Sequence, residues 1–182
     1  LMLDGTDSLH MYKVKDNFSL GQGLSADMWI KPDDFNAAGN LFQNSGVSFG
    51  LDGAGNLLAQ SGAASVQYDI NQDADSAWRE AKWNHVAFTA DSTTMHLLVN
   101  GINVGEASAS TSLALDSVNV LGKGYAGLME EFHLWNTKRT DSVVNRFYSM
   151  VLPREADHMI AAYRFDENIG EMLFDRSRTN DE

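Results

Sequence analysis

Cleavage of a glycosidic bond is the first chemistry to weigh in this chain, because two carboxylates and a histidine crowd the stretch GLMEEFHLWN, Gly127 to Asn136. A retaining mechanism needs two carboxyl groups about 5–5.5 Å apart on one face. Glu130 and Glu131 are adjacent, so a regular strand sends them to opposite faces. At the right spacing from Glu131 stands His133, and no carboxylate follows until Asp141. The pattern argues against hydrolysis and for a protein that is not an enzyme. Nucleophilic and nucleotide chemistry fare no better, since there is no Gly-rich phosphate loop, no G-x-S-x-G elbow and no cysteine. His10, His85, His96, His133 and His158 are scattered, without the close spacing of a helical zinc site. Each reads as a hydrogen-bonded or surface histidine.

Recognition of sugar is a further chemistry to weigh. It uses an exposed aromatic platform with amide and carboxylate groups beside it. Asn44, Tyr68, Asn71, Trp78 and Tyr125 fall in predicted loops or strand ends and are the candidates. Trp29, Trp83 and Trp135 sit within strand patterns and read as core.

Charge narrows the partners. The net charge of -12 and pI near 4.6 argue against nucleic acid and anionic membrane, which need clustered Lys and Arg. Binding of a cation is the better match. Absence of cysteine excludes disulfides and thiolate metal sites, and fits a bacterial surface or periplasmic protein better than an extracellular animal module. No apolar run approaches a membrane span, and no basic segment followed by an apolar one opens the chain. Its first residue is Leu, as expected for a piece of a longer protein, and 182 residues suit one domain, expected to be a monomer.

The elements that must position these residues are almost all strands. Within GLMEEFHLWN, alternation places Leu128, Glu130, Phe132 and Leu134 on one face and Met129, Glu131, His133 and Trp135 on the other. Large apolar groups on both sides make it a central strand, covered by a second sheet on one face and by loops or a helix on the other. LMLDGTDSLHMY reads as a hairpin about Asp4-Gly5, with Leu3, Leu9 and Met11 as core anchors. LSADMWIKP reads as a long inner strand that Pro32 ends. Short strands from Asn40 to Tyr68 make a meander, and residues 71–81 a loop or one short helix. WNHVAFTAD and TTMHLLVNG form a hairpin with Val86 and Phe88 facing Met95, Leu97 and Val99, and Asn100-Gly101 closes a second tight turn. Only Thr140 to Met150 has helical period, with Thr140 or Ser142 as cap and Val143, Val144, Phe147, Tyr148 and Val151 as one buried stripe. A last strand is expected over Met159 to Phe165 and a polar, linker-like tail after it.

In this order, LDGTDS, LSADMWIKP, KWNHVAFTAD with MHLLVNG, and GLMEEFHLWN before a Thr-capped helix resemble the laminin-G-like, concanavalin A-like jelly-roll family. AAYRFDENIGEMLFDRS is similar to the segment that joins one such domain to the next. The resemblance implies an all-β antiparallel sandwich with one short helix near the C-terminal end, residues 1–152 forming the jelly roll and 153–182 a C-terminal strand and tail that packs on the domain or leaves it. It implies a non-catalytic carbohydrate-binding or adhesion module of an exported bacterial protein, at the cell surface, outside the cell or in the periplasm. A structural spacer or protein-interaction domain is the alternative. The family often holds one Ca²⁺ between the opening turn and the strand before the helix, positions occupied here by Asp4, Asp7 and Glu130. Turn carbonyls near Gly5 or Gly127 would add backbone oxygens toward the six to eight that calcium takes.

Overall fold

A computed structural model describes residues 1–12, 23–73, 76–109, 118–152, 156–167 and 173–177. In chain order its strands are β1 (Met2–Asp4), β2 (Leu9–Tyr12), β3 (Leu24–Pro32), β4 (Ala38–Gln43), β5 (Val47–Asp52), β6 (Asn56–Ser61), β7 (Ala64–Asp69), β8 (Asn84–Ala90), β9 (Thr94–Val99), β10 (Ile102–Ser108), β11 (Val118–Leu121), β12 (Ala126–Trp135) and β13 (Met159–Tyr163). One helix, α1 (Asp141–Phe147), and a single 3-10 turn (Ile70–Gln72) complete the described elements. Two antiparallel sheets face each other. One has the order β1-β12-β3-β8-β9-β10, with β13 also on β12, and the other the order β2-β11-β4-β5-β6-β7. This is the antiparallel jelly-roll sandwich expected from the sequence.

Alternation along the strands builds the interior. Leu24, Ala26, Met28 and Ile30 of β3 and Val86 and Phe88 of β8 turn inward and are fully buried. The two sheets meet through aromatic contacts, Phe42 on Phe132 at 6.0 Å and Phe49 near Phe88 at 6.2 Å between ring centroids. The β8–β9 register, Val86 opposite Val99 and Phe88 opposite Leu97, bears out the expected hairpin. Asn100 and Gly101 carry φ of 49° and 80°, the left-handed pair that a two-residue primed turn requires. The meander of β4 to β7 is also present.

The opening segment departs from expectation. Asp4 and Gly5 do reverse the chain, but β1 pairs with β12 in one sheet and β2 with β11 in the other, so the turn crosses between sheets and makes no hairpin. Leu3 and Met11 are nevertheless core, anchored from opposite sides of the sandwich.

Strand β12 also differs from a plain alternation. Glu130 pairs with Trp29 and His133 with Asp27, so three steps on β12 match two on β3. Glu131 takes up the extra residue at φ 51°, and the strand bulges there. Met129 therefore joins Phe132 and Leu134 in the core, while His133 and Trp135 face outward.

The helix is shorter than its period suggested. Thr140 caps it, accepting the Val143 N–H at 3.4 Å. Of the expected stripe only Val144 is buried, against Ala87 and Leu98 on the outer face of the sheet. Val143 is 37% exposed within the helix, and Val151, 76% exposed, lies past its end at Phe147. At the far edge β13 pairs with β12 from Phe132 to Trp135, so the C-terminal strand belongs to the sheet.

Candidate functional site

Two polar assemblies stand out, one buried and one open. The buried one is on the outer face of the β12 sheet. Asp27, 3% exposed, accepts hydrogen bonds from His133 Nδ1 (2.9 Å), Trp135 Nε1 (2.8 Å) and Arg139 (3.0 Å), with His85 Nε2 at 3.4 Å. Burial alone would raise its pKa; the charge and hydrogen bonds of His133 and His85 outweigh that and hold the carboxyl well below the ordinary range. Arg139 also lies over the Trp135 ring at 4.2 Å. The donors come from β8, from β12 and from the residue just before the helix cap, which makes the cluster a tie between β3, β8, β12 and the start of α1. Beside it is a cavity of about 130 Å³, roofed by residues 147–152. Glu131 lines it too, but its carboxylate is taken by Arg164 at 3.0 Å and faces His133 Nε2 at 3.7 Å.

The open assembly is a groove of about 400 Å³ at the end of the sandwich where β3 leaves and β8 enters. Lys31, Asp33, Asp34 and Phe35 line one side, and Trp78, Glu80 and Lys82 the other. Phe35 and Trp78 meet edge to face, 6.3 Å between centroids and 61° between planes. The indole is half-buried and the rim carboxylates and Lys82 are exposed.

The loop that carries Trp78 is pinned from below. Asn84 accepts the Arg79 N–H at 2.8 Å and donates to the Arg79 and Lys82 carbonyls at 2.9 and 3.1 Å. Asn100 donates to Ala77 O at 2.7 Å and to Asn84 Oδ1 at 2.9 Å. Both asparagines are buried, so these bonds are shielded from water. On the other flank Asp73 accepts the N–H groups of Ala77 (2.8 Å) and Trp78 (3.1 Å), and the Tyr68 hydroxyl donates to the same carboxylate.

Of the residues singled out for sugar, then, Trp78 lines the groove, while Tyr68 is 7% exposed and supports it through Asp73. Asn71 is exposed at the 3-10 turn. Asn44 is occupied by a turn, its Oδ1 accepting the Gly46 and Val47 N–H groups at 2.9 and 2.8 Å. Tyr125 is 1% exposed and donates to Leu128 O at 3.1 Å; burial, then the Asp33 charge, pushes its phenol pKa up. Sequence reasoning missed Phe35 and Asp33, whose only signal was an aromatic within an acidic loop after Pro32, and Glu80, two residues past Trp78. It also missed Asp27, one polar residue in an otherwise inner strand. Trp29 and Trp135 lie on the outer face rather than between the sheets.

For the calcium ligands, Asp4 is opposite Ala126, and Glu130 lies four residues further along β12, roughly 13 Å at the rise of a strand. The structure does not bring these two together. Asp4 is fully exposed and accepts the Thr6 N–H and hydroxyl at 2.8 and 2.7 Å, bonds that lower its pKa. Asp7 and Glu130 are exposed. Among the described residues no group of three or more His, Asp or Glu is arranged to hold a metal ion.

Two facing antiparallel sheets with one helix on the outer face define a jelly-roll sandwich of the concanavalin A-like type. Residues 4–145 match Laminin_G_3, of the concanavalin A-like lectin/glucanases superfamily, and the chain belongs to that family. Its fold is similar to that of a candidate carbohydrate-binding protein from Bacteroides ovatus ATCC 8483, with TM-score 0.72 and 15% identity, covering 93% of this chain and 53% of that one. It is also similar to the binding domain of botulinum neurotoxin serotype D (TM-score 0.62, 17% identity, 81% and 41% covered) and to the receptor binding domain of the C/D mosaic serotype (0.57, 17%, 71% and 36%). The chain spans about half the length of the first of these structures and less of the others. No curated protein matches it.

Proposed function

We propose that this chain is a non-catalytic glycan-binding module of an exported bacterial protein, and that the Trp78 groove is where the sugar sits. One observation carries this: a half-buried indole, braced by Phe35 and by a loop anchored on Asn84 and Asn100, faces an open groove with carboxylates and lysines at its rim. A pyranose ring stacks on such a face through its C–H groups, and the rim groups bind its hydroxyls. Membership of a lectin superfamily and likeness to a candidate carbohydrate-binding protein support the same reading. Pre-anchoring matters because a loop already ordered has less entropy to lose on binding.

A glycan array followed by calorimetry tests it. Trp78→Ala should weaken the best ligand about tenfold or more, the worth of one good aromatic contact, and should leave the far-UV spectrum unchanged. Equal affinity in the variant would remove the groove as the site, and an array on which nothing binds would favour a protein partner.

A further inference from the structure

Asp27 fixes the tautomers of the two imidazoles beside it. Its carboxyl is ionised and can only accept, so the protons in these bonds sit on the rings, at His133 Nδ1 (2.9 Å) and His85 Nε2 (3.4 Å). In a neutral ring the other nitrogen is then bare, an acceptor at His85 Nδ1 and at His133 Nε2. His85 is 3% exposed, and its Nδ1 is buried with no partner among the described residues. His133 Nε2 faces Glu131 Oε2 at 3.7 Å, too long for a hydrogen bond and, in that tautomer, acceptor against acceptor. Both rings and Glu131 line the cavity of about 130 Å³ under residues 147–152. Buried acceptors without donors are costly, so the site calls for O–H or N–H groups from outside the chain.

Charge decides which. Arg139 pairs with Asp27 and Arg164 with Glu131, each at 3.0 Å, so the formal charges around the cavity cancel. A charged ligand would stand there without a counter-charge, whereas a hydroxyl brings a donor at no such cost. Arg139 gives Nη1 to Asp27 and has further N–H groups to donate to a hydroxyl oxygen. Trp29, His85 and Tyr148 pack on one another, 5.5, 5.7 and 6.2 Å between centroids, and form an aromatic wall for C–H groups. The volume admits a few groups of water size and falls short of a drug-sized pocket.

We propose that this cavity is a binding site for a vicinal diol, the chemistry shared by a small free polyol and the end of a sugar chain. His85 Nδ1 and His133 Nε2 accept from its two hydroxyls, and Arg139 donates to one of them. The site shares no lining residue with the Trp78 groove and stands whether or not that groove binds sugar.

The test follows the histidine ring nitrogens of the full, isotope-labelled chain by NMR at pH 7 while glycerol is added. Before addition each of the two rings should carry one proton, on His85 Nε2 and His133 Nδ1. Glycerol should shift His85 Nδ1 and His133 Nε2 along a saturating curve. Trimethylene glycol, the same carbon chain without the middle hydroxyl, should bind about tenfold or more weaker, as loss of one hydrogen bond predicts, and propylammonium should give no saturating shift. Either ring carrying both protons, a glycerol shift that never saturates, or an equal response to trimethylene glycol or propylammonium would overturn the site. A methyl glucoside that binds tighter than glycerol supports the site with a sugar end as the source, and one that binds more weakly supports it with a free polyol. Trp78→Ala should leave the glycerol curve as in the parent, and its loss there would overturn a site apart from the groove.

Discussion

His133 Nδ1 stands 2.9 Å from Asp27 Oδ1, directly across the β12–β3 pairing, although 106 residues separate the two in sequence. The contact makes Asp27 the shared acceptor of an imidazole, an indole and a guanidinium on the outer face of the sheet. Removing an acceptor from buried donors costs more than the bonds were worth, because the donors stay desolvated. Asp27→Ala should therefore destabilise by about 3–5 kcal/mol, measured by urea denaturation at pH 7. A loss under about 1 kcal/mol, the size of a single neutral hydrogen bond, would mean that water replaces the carboxylate.

The same residue sets an acid limit. Its folded pKa lies below the unfolded value of roughly 4, so its contribution is complete above that value and is lost as pH falls through the folded one. Urea midpoints should be flat from neutrality down to about pH 5 and drop below about pH 4. In Asp27→Asn the drop should be shallower, and an equal slope in the two proteins would assign the acid sensitivity to other carboxylates.

Asn84→Ala should uncouple the loop of Trp78 from the sandwich. It removes an acceptor and a donor that are both buried, at a cost of about 1–3 kcal/mol, and it should weaken glycan affinity without touching the groove surface. Faster amide exchange over residues 77–82 is the accompanying sign. Normal affinity with a loosened loop would show that anchoring is irrelevant to binding.

Asp4 and Glu130 are too far apart along β12 to share one ion. Asp4→Asn and Glu130→Gln should each leave the response of the melting temperature to calcium as it is in the parent. Joint loss of a calcium-dependent rise in the two variants would require a register different from the one described.

What the sequence revealed and what it hid follow from range. The Val86–Phe88 strand and its partner were readable because Asp91 to Thr94 and Asn100-Gly101 are local turns, and a local turn fixes its own register. Asp4-Gly5 gave an equally strong signal and misled, since a reversal of direction does not say which sheet the next strand joins. Val151 carried the right period for a buried stripe, but the helix stops at Phe147, before the period can matter there. Trp78 could be named from its place in a non-periodic loop, whereas its brace Phe35 lies 43 residues earlier and only folding brings the rings together. Nothing in the local pattern around Asp27 foretold four partners from three other segments.

The extra residue at Glu131 works as a change of phase. Upstream of it the odd-numbered Met129 faces the interior; downstream the even-numbered Phe132 and Leu134 do. A plain alternation that kept Glu131 would turn Phe132 and Leu134 to the outer face and His133 and Trp135 into the core, whereas deleting Glu131 would remove the extra step and leave all four on their present sides. Met129 and Phe132 share the interior only while spacing and bulge agree, with two residues between them and a bulge or one residue and none.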